Sequence, residues 1–261
     1  MPESVTYNMD CVEYLKTVPD KYFDLAVCDP PYGGGFTEGG GRKGWFSKYH
    51  QDSGGAADAH TSGLVGGLGE YKGAIVGRFG GHFEKYHLGD PDGRDTGGEV
   101  RKKIISWDVA PGQEYFDELS RVSRNQIIWG GNYFNLPPTR CFLVWRKLSI
   151  SETFTMAMAE YAWTSFNDNA KVFEAAPQGA KDDPRFHPTQ KPVELYAWIY
   201  KLFAKPGDKI LDTHLGSGSS RIAAWDAGLD FTGVEIDPVY FRQEEERFER
   251  HTAQMNLFIG E

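Results

Sequence analysis

Cysteine is scarce in this chain: Cys11, Cys28 and Cys141 stand far apart and form no C-x-x-C pair. That spacing writes neither a disulfide framework nor a cysteine-built zinc site, and no metal is expected; a reducing compartment fits. Long apolar runs are also missing, since none approaches the ~20 residues that a membrane span needs. The first ten residues carry no basic-then-apolar leader, so the expected location is cytoplasmic. Positive charge is in deficit, with 28 Lys and Arg against 37 Asp and Glu. This argues against a general nucleic-acid coat protein but leaves room for an enzyme with one basic cleft.

What is present is the composition of an ordinary globular chain. The 261 residues are 40% hydrophobic, 25% charged and 14% aromatic, enough for one large domain or two small ones. Glycine is distributed unevenly: 21 of the 31 fall between Gly33 and Arg101. Glycine loses the most backbone freedom on ordering, so this stretch predicts an insertion of long loops, with short ordered pieces around Trp45, Tyr49, Phe79, Phe83 and Tyr86.

On either side of it, apolar runs alternate with helical spacing. VTYN, CVEYLKTV and YFDLAVC read as strand, helix, strand; QEYFDELSRVS, NQIIWGG, TRCFLVWRK and TMAMAEYAW as a helix and three strands. VELYAWIYKLFA, DKILD, SSRIAAWDAG, FTGVEID and PVYFRQEEERFERH continue the alternation as helix, strand, helix, strand, helix. The pattern predicts an α/β fold: a mostly parallel, doubly wound sheet with helices on both faces and a Gly-rich insertion. Residues 1–32 and 102–261 form its main domain and 33–101 the insertion. Ligands in such folds sit beyond the C-terminal strand ends, where the winding reverses.

Three loops at such ends carry chemistry. In KILDTHLGSGSSRIAA a strand ends at Asp212, turns at Gly216 and Gly218, and enters a helix whose free N–H groups face a ligand. No Lys-Ser or Lys-Thr follows the glycines, and Arg221 replaces the third glycine of the dinucleotide fingerprint, so pyrophosphate is disfavoured. The next strand ends at Glu235, where a carboxylate can accept from both hydroxyls of a ribose. A nucleoside cofactor without a pyrophosphate follows. The second loop, Asp29-Pro30-Pro31-Tyr32, is a stiff strand exit with two N–H donors removed. Asp29 and the Pro30 carbonyl present acceptors and Tyr32 a flat ring, a set that suits an exocyclic amine on a base. The third, FHPTQKPVEL, places Thr189 and Lys191 before a helix begun at Pro192.

DPPY, WGGNYF, HPTQKPVEL, DTHLGSGSS and GVEIDPVY together resemble the amino-group DNA methyltransferases that use S-adenosylmethionine, in the arrangement where the catalytic loop precedes the cofactor loop. The resemblance covers nearly the whole chain outside Gly33–Arg101 and implies a Rossmann-like methyltransferase fold. It implies Asp29, Pro30, Pro31 and Tyr32 as catalytic, and Asp212, Gly216, Gly218 and Glu235 as cofactor-binding, with Asp10, Thr189 and Lys191 as secondary contacts. Family members with DPPY mostly methylate adenine N6 and cytosine-N4 enzymes more often carry serine, so Asp29 favours adenine. The chain departs from the usual Asp-Pro-Phe before the glycines, reading Asp212, Thr213 and His214. The interval Thr164–Arg185 is short for a target-recognition segment, which transfers that role to the insertion. There Arg42, Lys43 and Lys48 flank Trp45 and Tyr49, a mixture suited to phosphates and bases. The implied partners are a DNA substrate, a homodimer mate and a cognate restriction nuclease. Cytosine-N4 or RNA-adenine methylation, a non-catalytic DNA-binding module and a nicotinamide oxidoreductase are the alternatives, the last leaving DPPY unexplained.

Overall fold

Strand β2 (Phe23–Cys28) shows why the sheet is central. Leu25 and Val27 join the core on one face and Ala26 and Cys28 the core on the other, so both faces must be covered. The protein is seen in a computed structural model that describes residues 2–33, 108–148, 150, 157–177 and 183–259, together with the backbone of two strands at 75–79 and 82–86. Two compact units are formed, one by Met1–Pro30 with Pro111–Glu261 and one by Pro31–Ala110.

The first unit holds β1 (Ser4–Asn8), β2, β5 (Ser123–Trp129), β6 (Phe142–Lys147), β7 (Ala159–Thr164), β8 (Lys171–Ala175), β9 (Lys209–Asp212) and β10 (Asp230–Glu235). They build one eight-stranded sheet in the order β1-β10-β9-β2-β5-β7-β6-β8. All neighbours are parallel except β7, which is antiparallel to both β5 and β6. Helices α1 (Cys11–Thr17) and α2 (Gln113–Val122) supply Leu15, Tyr115, Phe116, Leu119 and Val122 to one core. Helices α3 (Val193–Phe203) and α4 (Ser219–Asp226) supply Leu195, Ile199, Tyr200, Ala223 and Ala224 to the other. The long α5 (Pro238–Ile259) follows β10. Burying each large side chain of these cores contributes roughly 1.5–3 kcal/mol.

The second unit contains, besides the chain around Asp108, an antiparallel pair β3 (Ile75–Phe79) and β4 (His82–Tyr86), joined by two glycines with Phe79 opposite His82. The basic-aromatic group at Arg42, Lys43, Trp45, Lys48 and Tyr49 lies outside the described residues.

Strand β8 was not expected from the sequence; the interval taken as a short connection holds the strand KVFEA, parallel to β6 at the sheet edge. Its Val172 is exposed and Ala175 buried, so it carries too little apolar weight to read as a core strand. The chain crosses from β2 through β5 and the strands beyond it, then returns to β9 on the opposite side of β2. The winding therefore reverses between β2 and β9, and the loops that leave these two strands face the crevice there.

Candidate functional site

Register fixes the proximity of the two loops. Leu25 pairs with Ile210 and Ala26 with Leu211, so the parallel strands β2 and β9 end side by side and Cys28 stands against Thr213. Asp29 and Pro30 close the first unit's segment at this edge, and Pro31 and Tyr32 open the second unit. Beyond them Gly33 takes a left-handed φ of 66° and its N–H donates to Asp108 Oδ1 at 3.2 Å.

The loop after β9 is tightly organised. Asp212 is buried; its Oδ1 accepts from the His214 N–H at 3.1 Å and its Oδ2 from the Ser220 hydroxyl. Burial pushes its carboxyl up to about 7, with the charges of Asp29 and Glu235 adding to the rise. Glu235 accepts from the Gly216 N–H and the Asp237 N–H, both at 2.8 Å, which ties the glycine turn to the end of β10. Burial raises its pKa while those two donors pull it back. Gly216 and Gly218 take φ of 53° and 73°, in the left-handed region where a Cβ is strained. A Cβ on Gly218 would meet Glu244 Oε2 at 2.6 Å, so Glu244 closes the turn from behind. Arg247 of α5 braces it further, donating to Ser217 O at 2.7 Å and Ser219 Oγ at 2.9 Å while paired with Asp183.

The remaining expected residues have the following surroundings. Thr189 hydrogen-bonds through Oγ1 to His187 Nδ1 at 3.2 Å, and the His187 ring packs against Gly216 and, edge-on, Tyr240. Asp10 uses Oδ1 as the N-cap of α1, accepting from Val12 N and Glu13 N at 2.8 and 3.0 Å. Beside it, Met9 N donates to Glu235 O at 3.1 Å, which keeps the end of β1 against the end of β10. The buried ammonium of Lys191 pairs with Asp29 and lies 3.1 Å from Glu160 on β7. His214 is half-buried, and desolvation pushes its pKa down to about 4, so the ring is neutral at pH 7. It hydrogen-bonds Thr213 Oγ1 at 3.0 Å, and that hydroxyl meets Tyr115 Oη at 2.6 Å. Sequence reading had not singled out Lys147, Glu160, Glu244 or Arg247. The available signal was a charged residue inside the apolar runs FLVWRK and AMAEYAW.

The DNA methylase family (N6_N4_Mtase) matches residues 110–246, just over half of the chain. The chain belongs to the DNA methylase family. The methylase is 38% identical over 63 residues to the Type II methyltransferase M2.DpnII of Streptococcus pneumoniae, a match covering 24% of each protein. It spans about a quarter of the length of the curated relatives it matches. Among solved structures, the PvuII DNA methyltransferase (cytosine-N4-specific) shares 12% identity at a TM-score of 0.52, covering 98% of this chain and 93% of that one. The complex of M1.HpyAVI with SAM shares 15% identity at a TM-score of 0.50, covering 93% and 98%. At these identities the likeness shows a common fold, the α/β methylase sheet. Among the described residues no helix is long and apolar enough to cross a membrane, and no three side chains gather as metal ligands.

Proposed function

We propose that this methylase transfers a methyl group from S-adenosylmethionine to an exocyclic amine of DNA, with adenine N6 as the acceptor. The observation that carries the reading is the meeting of the Asp29 loop and the Gly216 loop at adjacent strand ends, where the winding reverses. The residues on the β9 side suit a nucleoside that carries positive charge. From Asp212 to Ser220 there is no lysine or arginine to grip a phosphate, the nearby Arg247 is engaged with Ser217, Ser219 and Asp183, and Asp212 and Glu235 supply carboxyl groups. Each retains acceptor capacity beyond the bonds described.

Bound there, S-adenosylmethionine would supply a methyl group on a sulfonium leaving group, so alignment is the main task left to the protein. Asp212, the backbone at Gly216 and Gly218, and Glu235 would hold it, with Thr189 acting from beside His187 and Asp10 fixing the neighbouring end of β1. Asp29 and the Pro30 carbonyl accept the two hydrogens of the amine and leave its lone pair for the incoming methyl group. The proton is shed after transfer. Pro31 stiffens the loop, and Tyr32 stacks on a base turned out of the duplex. The insertion 33–101 contacts the target sequence, and a cognate restriction nuclease is the partner this reading expects. A homodimer is the expected pairing, and the mass in solution is its test.

Asp29 in DPPY supports adenine; the fold shared with a cytosine-N4 enzyme keeps N4 as the second reading. The test is incubation with tritiated S-adenosylmethionine and duplex DNA, then nuclease digestion and mass spectrometry. N6-methyladenine is expected, and Asp29→Ala should abolish incorporation while S-adenosylhomocysteine still binds. N4-methylcytosine would replace the acceptor, label only on RNA would replace the polymer, and full turnover by Asp29→Ala would sink the mechanism.

A further inference from the structure

Asp29 ends a line of partly to fully buried charge. Its Oδ2 accepts from the Lys191 ammonium, Lys191 Nζ lies 3.1 Å from Glu160 Oε2, and Glu160 Oε1 lies 2.5 Å from Lys147 Nζ. The two lysine side chains are 3% and 7% exposed. Four alternating charges thus cross from β6 through β7 and the segment before α3 to the loop after β2. Around them the sheet is apolar: Leu143, Trp145 and Ala162 are buried on the same strands, and Lys191 Nζ stands 5.3 Å from the centre of the Trp129 ring. Buried ion pairs are poor sources of stability compared with apolar packing, so a line of them asks for another role. An aspartate that accepts hydrogens from an amine has to be ionised and held still, and an ammonium in contact with it does both.

We propose that Lys191 is the positioning residue for Asp29, and that Lys147 and Glu160 form the buried strut that holds Lys191 against it. The inference rests on the reading of Asp29 as amine acceptor. Lys191 does not itself serve as a base: burial works against its ammonium, yet Asp29 and Glu160 hold its pKa above the ordinary lysine value, and it keeps its proton. Glu160 stays ionised for the complementary reason, since burial pushes its carboxyl up but Lys191 and Lys147 together bring it to about 2. Asp212 on β9 and Tyr196 on α3 also feel the charge of Asp29, so loss of the ammonium removes a positive partner from a carboxylate that faces a second carboxyl group.

The experiment follows the Asp29 carboxyl by carbon-13 NMR against pH, its signal assigned by loss in Asp29→Asn, beside single-turnover methyl transfer against pH. In the wild type Asp29, in contact with the Lys191 ammonium, should titrate below an ordinary aspartate. In Lys191→Met its midpoint and the acid limb of the rate should move up together, and the plateau rate should fall about 100-fold, the scale of a misplaced catalytic group. S-adenosylhomocysteine affinity should stay unchanged. Lys191→Arg should restore the midpoint, and Glu160→Gln should lower the rate while leaving the cofactor site intact. A wild-type midpoint at or above the ordinary value overturns the proposal without any variant, and so does an unmoved acid limb in Lys191→Met. A low wild-type midpoint in a chain that methylates no nucleic acid refutes the function proposed above and upholds the pairing.

Discussion

Gly218→Ala and Gly228→Ala form a matched pair that separates backbone strain from collision. Both glycines sit in the left-handed region, at φ of 73° and 69°, where a Cβ costs roughly 1–2 kcal/mol. At Gly228, just past α4, a new Cβ meets nothing within 4 Å, so the backbone cost stands alone. At Gly218 the same Cβ falls 2.6 Å from Glu244 Oε2 and 3.3 Å from Glu244 Cβ. Glu244 is fully buried and held by Arg221 at 2.8 Å, so it cannot swing into solvent, and overpacking adds about 1–3 kcal/mol. Urea unfolding at pH 7 should therefore show Gly218→Ala destabilised by about 3 kcal/mol, at least about 1 kcal/mol beyond Gly228→Ala. S-adenosylhomocysteine binding should weaken in the first variant only, because only the first lies in the turn tied to Glu235. Equal losses of stability in the two variants would refute the claim that Glu244 closes the turn.

Four further outcomes are expected. Burial holds Glu244 up to about 8 and Asp212 up to about 7, so the folded state binds protons that the unfolded chain releases. Stability should then fall as pH rises from about 5 to 8, and Glu244→Gln should flatten that fall in thermal melts, an unchanged slope counting against it. Glu160, lowered to about 2, acts in the opposite sense: its contribution is present above its ordinary 4.5 and is lost as pH falls toward 2, so Glu160→Gln should reduce the acid-side loss. Arg247→Met leaves Asp183 without its buried partner and Ser217 O without a donor, and should cost about 3–5 kcal/mol by denaturant unfolding, a loss under 1 kcal/mol being the refuting result. A cation at Asp212 and Glu235 should lower both pKa values and release protons near pH 7. Calorimetry in buffers of different ionisation enthalpy should show that release for S-adenosylmethionine and less of it for the uncharged thioether S-adenosylhomocysteine; equal release by the two would refute it.

Much of the sheet was legible because its strands are short apolar runs cut off by turn chemistry. YFDLAVC stops at Asp-Pro-Pro and KILD at a glycine turn, and the alternation between them predicted parallel strands with covered faces. Strand β8 escaped because KVFEA is half polar and lies at an edge, where one face asks for little apolar weight. The charge network escaped for a different reason. Lys147, Glu160, Lys191 and Asp29 are distant in sequence and converge only through strand register, with β7 reversed between β5 and β6. Arg247 and Glu244 sit in QEEERFERH, a run that reads as a solvated helix face, yet both are buried beneath the glycine turn. Periodicity shows which face a helix turns inward; it does not show that a charge on that face will find a partner there. Asp10 is the converse, a residue at a strand end whose carboxylate caps the helix that follows.

The C-terminal edge of the sheet gathers three carboxyl groups and gives them unlike surroundings. Asp29 contacts an ammonium that is itself anchored by a second carboxylate and a second lysine. Asp212 and Glu235 are held by hydroxyl and backbone N–H donors, and burial drives both toward the neutral form. Environment, more than residue type, thus divides the crevice into a half whose carboxylate is paired with an ammonium and a half whose charge waits on a cationic ligand. An amine that must lose hydrogen density to an acceptor belongs in the first half and a sulfonium in the second. Exchanging the two would put a positive ligand beside Lys191 and an amine beside carboxyls already partly protonated. On the proposed reading the direction of transfer is set by where the lysines are: Lys147 lies on β6, on the β5 side of the winding reversal, and Lys191 in the segment before α3.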